Sequence, residues 1–272
     1  MDSLFRITSI YKRLNVALIF TVEMTRTQPE VSKQRAVTFP FVSVVTPTYN
    51  RRRFIPHLIE CYKSQTYPKE RMEWIILDDG SDPVEDLFKG LDIPNLYYVR
   101  ETEKKNIGAK RNTLNRESCG DIIVAMDDDD FYPPERVAAV VSGFKQRPNV
   151  QLAGSSEVYM YYTDIKTIYK LGPYAPNHAT NGTMAWRREY ANTHLYDEDV
   201  THAEEKSFLD SYKHPMIQLD PMKVMLVMSH TDNTFDKKKM REQEGNPFVK
   251  KTALKLRNFI KNPQLREFFA TA

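Results

Sequence analysis

Cysteine is scarce in this chain: Cys61 and Cys119 are the only two in 272 residues. They lie far apart, both in stretches expected to be helical, and no CxxC or Cys/His pair has metal-ligand spacing. A disulfide framework and a zinc site are therefore not expected, and two reduced thiols suit a cytoplasmic protein. Long apolar runs are missing too. The longest near the N-terminus, residues 16–22, falls far short of the roughly 18 residues a membrane span needs. It also lacks the small-residue cleavage site of a signal peptide. A peripheral amphipathic contact through residues 1–20 is as much membrane contact as the sequence supports. Nor does one sign of charge dominate: 39 Lys and Arg face 36 Asp and Glu, a formal net of +3 with pI about 8.6. That is too mild to announce nucleic-acid binding. There is no internal repeat and no low-complexity tract. The single sequon, Asn181-Gly182-Thr183, carries little weight without a signal peptide.

What is present is ordinary in bulk and specific in one place. Hydrophobic residues make up 41% and charged residues 28%, enough for one large domain or two small ones. The specific place is Asp127, Asp128, Asp129 and Asp130. They follow the apolar run 122–126 and precede Pro133, Pro134 and an amphipathic stretch. That order reads as a buried strand, an acidic turn at its C-terminal end, and a helix opened by Pro134. An acidic run is usually a solvated loop, but this one is wedged between strand and helix. Four adjacent anions repel one another, so a hard divalent cation, magnesium or manganese, is expected among them, its shell completed by water and substrate phosphates.

The flanking chain repeats the strand–helix order. Residues 41–46 are β-branched and apolar, a buried strand closed by Pro47. Ile55, Leu58, Ile59 and Tyr62 then fall on one helical face. Residues 74–77 form a second strand, closed by Asp78, Asp79, Gly80 and Ser81. Residues 96–99 form a third, 106–118 are helical, 122–126 are the fourth strand and 134–146 the next helix. Short connections between such units imply an α/β fold with a mostly parallel, Rossmann-like sheet, crossover helices and ligands at the strands' C-terminal ends. Three loops end there: 47–53, 78–82 and 127–130. Past residue 148 the expectation is a hairpin (158–162 with 167–171), a strand at 182–187, a helix at 203–213 and a Met-rich strand at 222–229 ending at His230. Residues 237–272 are basic and partly helical, with Phe248, Leu254, Leu256 and Phe259 as packing positions. The resulting plan is an N-terminal leader (1–40), a main domain (41–236) with a nucleotide half (41–147) and a mixed acceptor half (148–236), and a tail (237–272).

Several motifs in order resemble the inverting family 2 nucleotide-sugar glycosyltransferases of GT-A fold. The residues are Val42 to Asn50, Ser64 to Pro68, Ile76 to Ser81, Gly108 to Asn112, and the acids 127–130 with Pro134, Glu135 and Arg136. Together they cover about residues 41–140; Ala203, Glu204 and Glu205 with Phe208 and Leu209 resemble the acceptor-side acidic motif less closely. The resemblance implies a metal-dependent transfer of a hexosyl or pentosyl group from a UDP-sugar to a hydroxyl of a glycan or glycoconjugate, with inversion. It implies a nucleotide-sugar site at Pro47, Thr48, Tyr49, Asn50, Arg52, Asp78, Asp79, Lys110, Arg111, Asp127 and Asp128. The metal falls to Asp129, the first choice, with Asp127 and His230, and would be Mn2+ or Mg2+. Glu205 is the implied base and Glu204 its neighbour.

The residues support these roles on chemical grounds. Tyr49 offers a ring to stack on a base, Asp79 an acceptor for uracil N3–H, and Arg111 a fork matched to phosphate oxygens. His230 ends a strand and precedes a polar loop. Blander readings stand beside them. Tyr49 would pack, the 78–81 run would be good turn chemistry, and Arg51, Arg52 and Arg53 a solvated run. Glu204 and Glu205 would suit a helix dipole. Tyr159, Tyr161 and Tyr162 read as sheet faces, and the Met cluster of 222–228 as core. Sugar-nucleotide pyrophosphorylases need a Gly-rich loop after the first strand, and residues 47–51 contain no glycine. The remaining alternative is an inactive nucleotide-sugar binder of the same fold.

Overall fold

The computed structural model describes residues 39–201, 203–231, 233, 237–241 and 245–271. The leader expectation, apart from Phe39 and Pro40, and the apolar run 16–22 lie outside the described residues. β1 (Val42–Thr48) and β2 (Met72–Asp78) are buried at every position. Apolar residues on both faces are what a central parallel strand between two covering layers requires. β3 (Leu96–Arg100) pairs parallel with β2, and β4 (Ile122–Ala125) parallel with β1. α1 (Ile55–Lys63) buries the four positions its spacing singled out, Ile55, Leu58, Ile59 and Tyr62, and Tyr62 stacks on Trp74 at 4.4 Å. α2 (Ile107–Glu117) crosses from β3 to β4, and α3 (Arg136–Gln146) follows the acidic turn. It starts two residues after Pro134, where the Arg136 N–H first finds the Pro133 carbonyl at 3.0 Å.

The second half extends this sheet and adds another. β5 (Leu152–Gly154), the hairpin β6 (Val158–Tyr162) and β7 (Thr167–Leu171), β8 (Ala185–Arg187), β9 (Met216–Gln218), β10 (Leu226–Ser229) and β11 (Val249–Lys251) complete the strands. The seven-stranded sheet runs β3-β2-β1-β4-β8-β5-β9, with β8 antiparallel to both β4 and β5. The four-stranded sheet runs β10-β6-β7-β11. The short helices α4 (Arg188–Ala191), α5 (Glu205–Phe208), α6 (Lys238–Arg241) and α7 (Leu256–Phe259) precede a longer α8 (Pro263–Thr271). α8 packs back on α1: Phe268 stacks on His57 at 3.3 Å, and Phe269 meets Phe131 edge-on at 5.9 Å. No helix among the described residues is long and apolar enough to cross a membrane.

Several expectations are corrected. The helix expected at 203–213 stops at Phe208, because Asp210, Ser211 and Tyr212 adopt positive φ (44°, 56° and 64°). Phe208 is fully buried, stacked on Tyr196 at 4.2 Å and edge-on to Trp186 and Tyr190; packing it there overrides local helix propensity. The strands expected at 182–187 and 222–229 begin only at Ala185 and Leu226, each after a single 3-10 turn. Cys119 lies beyond the end of α2 rather than in it, while Cys61 is buried in α1 and burial pushes its thiol up to about 12. The Met cluster is core as expected, with Met225 and Met228 buried, but Phe248 is 41% exposed.

Candidate active site

The C-terminal ends of β1 and β2 are laced together by side chains. Asn50 turns the chain with φ of 54°, and its Oδ1 accepts from the Ser81 hydroxyl (3.2 Å) and the Asp82 N–H (3.1 Å). Asp78 is fully buried and accepts from the Gly80 and Val84 N–H groups (2.8 and 3.0 Å) and the Tyr98 hydroxyl (2.5 Å). It organises the turn. Asp79 is equally enclosed: Lys110 Nζ donates to one oxygen and the Lys105 N–H to the other, both at 2.7 Å. Each oxygen keeps a second lone pair for a further donor. Lys110 also donates to the Thr48 carbonyl at 3.2 Å. Tyr49 stands half-buried beside them, with Lys104 Nζ 4.4 Å from its ring centre, a cation–π contact. Pro47 stays within β1, opposite Leu77.

The acidic turn at the end of β4 is not solvated. Phe131 bridges to Leu226, which docks the turn on β10 and brings His230 to it. Below it, Arg136 is fully buried and donates to the Met184 and Ala125 carbonyls (2.8 and 3.3 Å); burial pushes its guanidinium down to about 10. Asp128 lies 3.9 Å from Arg51, and burial together with the Asp129 charge pushes its carboxyl well up. Asp130 accepts from the Met228 N–H at 2.7 Å and is also pushed up by burial. Burial acts on Asp129 in the same direction, yet His230 and Lys237 outweigh it and hold that carboxyl below the usual range.

His230 Nε2 lies 3.2 Å from Asp129 Oδ2 and 2.9 Å from Asn233 Nδ2, its ring against Phe54 at 4.8 Å. One ring nitrogen cannot accept from the amide and donate to the carboxylate at once. Asn233 Nδ2 also donates to Asp129 Oδ2 at 3.2 Å, and a cation between Nε2 and Oδ2 would relieve this competition. Adjacent ligands of an octahedral ion at about 2.1 Å lie about 3 Å apart, close to the observed spacing. Among the described residues, no three His, Cys, Asp or Glu side chains converge as a closed metal site. Asp129 and His230 would supply two ligands to a hard ion and leave the rest of its shell to water and phosphate.

α2 joins the two halves. Successive helical residues point about 100° apart, so Lys110 faces the β1 and β2 loops, Arg111 the acidic turn and Asn112 the segment around Tyr196. Asn112 exchanges hydrogen bonds with the Tyr196 backbone, both at 2.9 Å. A methyl on Gly108 would collide with the Asp197 carbonyl, so glycine is what lets α2 approach that segment. Arg111 Nε donates to Glu204 (2.8 Å) and Nη1 to Asp127 (3.0 Å), and the Asn181 amide oxygen accepts from Nη1 at 2.8 Å. Burial alone would weaken the guanidinium's hold on its proton; Asp127 and Glu204 outweigh it and raise the pKa. These groups line a cleft of about 380 Å³ that Asp129, Glu205 and Lys237 also reach. Glu205, the first residue of α5, is half-buried, and burial and Glu204 push its carboxyl up.

Removing one member of a buried ionic triad leaves the others uncompensated. Arg111→Met is expected to destabilise the fold by about 3–5 kcal/mol, read as a lower urea midpoint. A midpoint within error of wild type would mean the triad is not coupled to folding.

The structure thus gathers Tyr49, Asp79 and Lys110 in one place, Arg111, Asp127 and Glu204 in a second, and Asp129 with His230 in a third. Arg52 goes elsewhere: exposed, it donates to Asp82 and Asp86 (2.9 to 3.0 Å) and to the Pro83 carbonyl. Arg51, read as part of a solvated run, is the one that approaches the acids. Asn181, Asn233 and Lys237 were missed. Asn181 was visible only as a sequon and is buried, and Lys237, whose Nζ donates to the Met228 carbonyl at 2.8 Å, left no signal in its basic surroundings.

Comparison with known proteins bears on this geometry. Residues 43–201 match the profile of glycosyl transferase family 2. Glycosyltransferase AglE of Haloferax volcanii is 36% identical over 130 residues, 46% of this chain and 41% of AglE. An uncharacterized glycosyltransferase of Haemophilus influenzae is 31% identical over 109 residues, 40% of this chain and 36% of its own. The chain thus spans about two fifths of the length of these relatives. Among solved structures, Staphylococcus aureus TarS in complex with UDP-GlcNAc superposes with a TM-score of 0.58 at 17% identity, over 71% of this chain and 60% of that one. Mannosyltransferase PcManGT from Pyrobaculum calidifontis, in complex with GDP-Man and Mn2+, gives 0.56 at 19% identity, over 72% and 59%. At such identity the likeness is one of fold, and that fold is GT-A. With the family profile matched over more than half its length and its motifs brought to the ends of one sheet, this chain belongs to glycosyl transferase family 2.

Proposed function

We propose that this chain moves a sugar from a UDP-sugar to a hydroxyl of a glycan or glycoconjugate, with inversion and with a divalent metal, Mn2+ or Mg2+. The observation that carries this reading is the Glu204–Arg111–Asp127 link. It ties the acidic turn to the acceptor side and sets Glu205 on the wall of the cleft that Asp129 also lines. Residues 41–147 then serve as the donor half and 148–236 as the acceptor half. Tyr49 and Asp79 face the base, and Lys110 fixes the Asp79 carboxylate toward it. Arg111 is already matched by two carboxylates, so the diphosphate charge falls mainly to Arg51, Lys237 and the ion. Asp129 and His230 would hold that ion, with Asp127 and Asp128 beside it; when bound it supplies Lewis-acid stabilisation of the departing UDP. Glu205 takes the acceptor proton. TarS and PcManGT support a nucleotide-sugar donor, and PcManGT a metal, but they carry different bases, so the choice of uracil rests on Tyr49 and Asp79.

A panel of UDP- and GDP-sugars with manganese, scored for donor hydrolysis, tests the reading; hydrolysis of none of them would favour an inactive binder. Calorimetry with UDP, GDP and CMP tests the base. UDP is expected to bind tightest, and Asp79→Asn to weaken it by about 1–3 kcal/mol, the cost of a lost charge-assisted hydrogen bond. Equal affinity for the three nucleotides would remove the uracil pocket.

A further inference from the structure

A second concavity lies between α7 and α8, an open groove of about 810 Å³ that shares no lining residue with the cleft. Lys255, Arg257 and Arg266 line it, and Glu267 is its one acid. Leu256, Pro263 and Ala270 supply apolar lining.

Cations are partnered in several ways across the protein. Arg52 pairs with Asp82 and Asp86, Lys110 with Asp79, Arg111 with Asp127 and Glu204, and Arg241 with Asp164, whereas Arg71, Arg136 and Arg187 donate to backbone carbonyls. Lys255, Arg257 and Arg266 make no ion pair among the described residues. Arg266 Nη1 reaches only the Ile260 carbonyl, at 3.3 Å. Lys250, Lys251 and Lys261 are exposed nearby in the chain and likewise meet no carboxylate there. Residues 245–271 contain six Lys and Arg against Glu267 alone, a formal +5 in a chain whose total is +3. Like charges lining one groove repel, and with no carboxylate beside them among the described residues they are suited to an external anion.

We infer that this groove docks the protein on an anionic lipid surface, with headgroup phosphates among Lys255, Arg257 and Arg266 and the adjoining methylenes against Leu256, Pro263 and Ala270. An amphiphile matches both kinds of lining. A nucleic acid or polyphosphate would use the cations and leave the apolar lining unmatched. Three cations line the groove; with Lys250, Lys251 and Lys261 residues 245–271 carry six, within the range of about four to eight that reads as recognition of anionic lipid.

Vesicle flotation of the full chain tests this. Binding to phosphatidylglycerol–phosphatidylcholine vesicles is expected to exceed binding to phosphatidylcholine alone by roughly tenfold or more and to fall with salt. The triple variant Lys255→Gln, Arg257→Gln, Arg266→Gln should lose that preference, while Lys255→Arg, Arg257→Lys, Arg266→Lys keeps it, both at the wild-type melting temperature. The variants leave residues 1–20 unchanged, so a contact through that segment would survive the glutamine triple and overturn the inference. Equal binding to neutral vesicles would overturn it too. Retention of inorganic polyphosphate without vesicle binding would reassign the groove to soluble polyanions.

Discussion

Asp129→Ala is expected to cut sugar transfer by orders of magnitude and to remove metal-dependent UDP binding while leaving the protein folded. The expectation follows from position. Of the four acids in the turn, Asp129 is the one whose carboxyl is held low, and it faces His230 Nε2 at 3.2 Å. Asp128 and Asp130 are pushed toward their protonated forms, and Asp127 is occupied by Arg111. Asp129 is thus the strongest anion available to a cation at that place. A Lewis acid on the leaving diphosphate contributes several kcal/mol to the transition state. At about 1.4 kcal/mol per decade, losing it costs on the order of 10²–10⁴ in rate. The fold bears part of the loss: His230 and Lys237 hold the Asp129 carboxyl low and Asn233 donates to it at 3.2 Å, so alanine gives up those contacts near neutral pH while relieving repulsion among the four acids. Circular dichroism should match wild type without metal and melting should fall only modestly, while manganese titration and UDP calorimetry lose their coupling. Full activity of the wild type in excess chelator would defeat the metal reading entirely. Unchanged manganese affinity in His230→Ala would remove only the histidine.

The strand ends of the first half were legible in the sequence because their signals are local. Four consecutive aspartates after an apolar run, and Asp78-Asp79-Gly80-Ser81 after another, mark strand ends by themselves, and parallel connection rules place those ends together. What local pattern could not give was partner choice. Asp78 and Asp79 are adjacent and identical in type, yet one is consumed by the turn and Tyr98 and the other by Lys110. Arg51 and Arg52 are likewise neighbours, and the turn sends one toward the acids and the other to Asp82 and Asp86. The second half of the chain was less legible. β5 and β9 are three residues each, too short to show a period. α5 ends early because Phe208 is drawn into an aromatic cluster assembled from distant parts of the chain. Asn233 and Lys237 reach the acids through tertiary contact alone, with no pattern in their own neighbourhood to mark them.

The base is the remaining step, and it carries the second large effect. A sugar hydroxyl is a poor nucleophile until its proton is taken in the transition state, and a positioned carboxylate typically contributes about 10²–10⁴-fold. Glu204 is unsuited to this, since Arg111 Nε holds it at 2.8 Å. Glu205 borders the same cleft, and burial and the charge of Glu204 push its carboxyl up. A carboxylate shifted that way is a stronger base than a free one. Glu205→Gln should therefore bind UDP and manganese as wild type does and lose transfer by about 10²–10⁴-fold. The sign of the pH dependence follows. The protonated carboxyl is inactive, so kcat/KM rises with pH, and its acid limb should lie above the roughly 4.3 of a free glutamate. One base opposite the leaving UDP inverts the anomeric carbon, so an α-linked donor should yield a β-linkage by proton NMR. Transfer with retention, or a Glu205→Gln enzyme as fast as wild type, would take the role away from this residue.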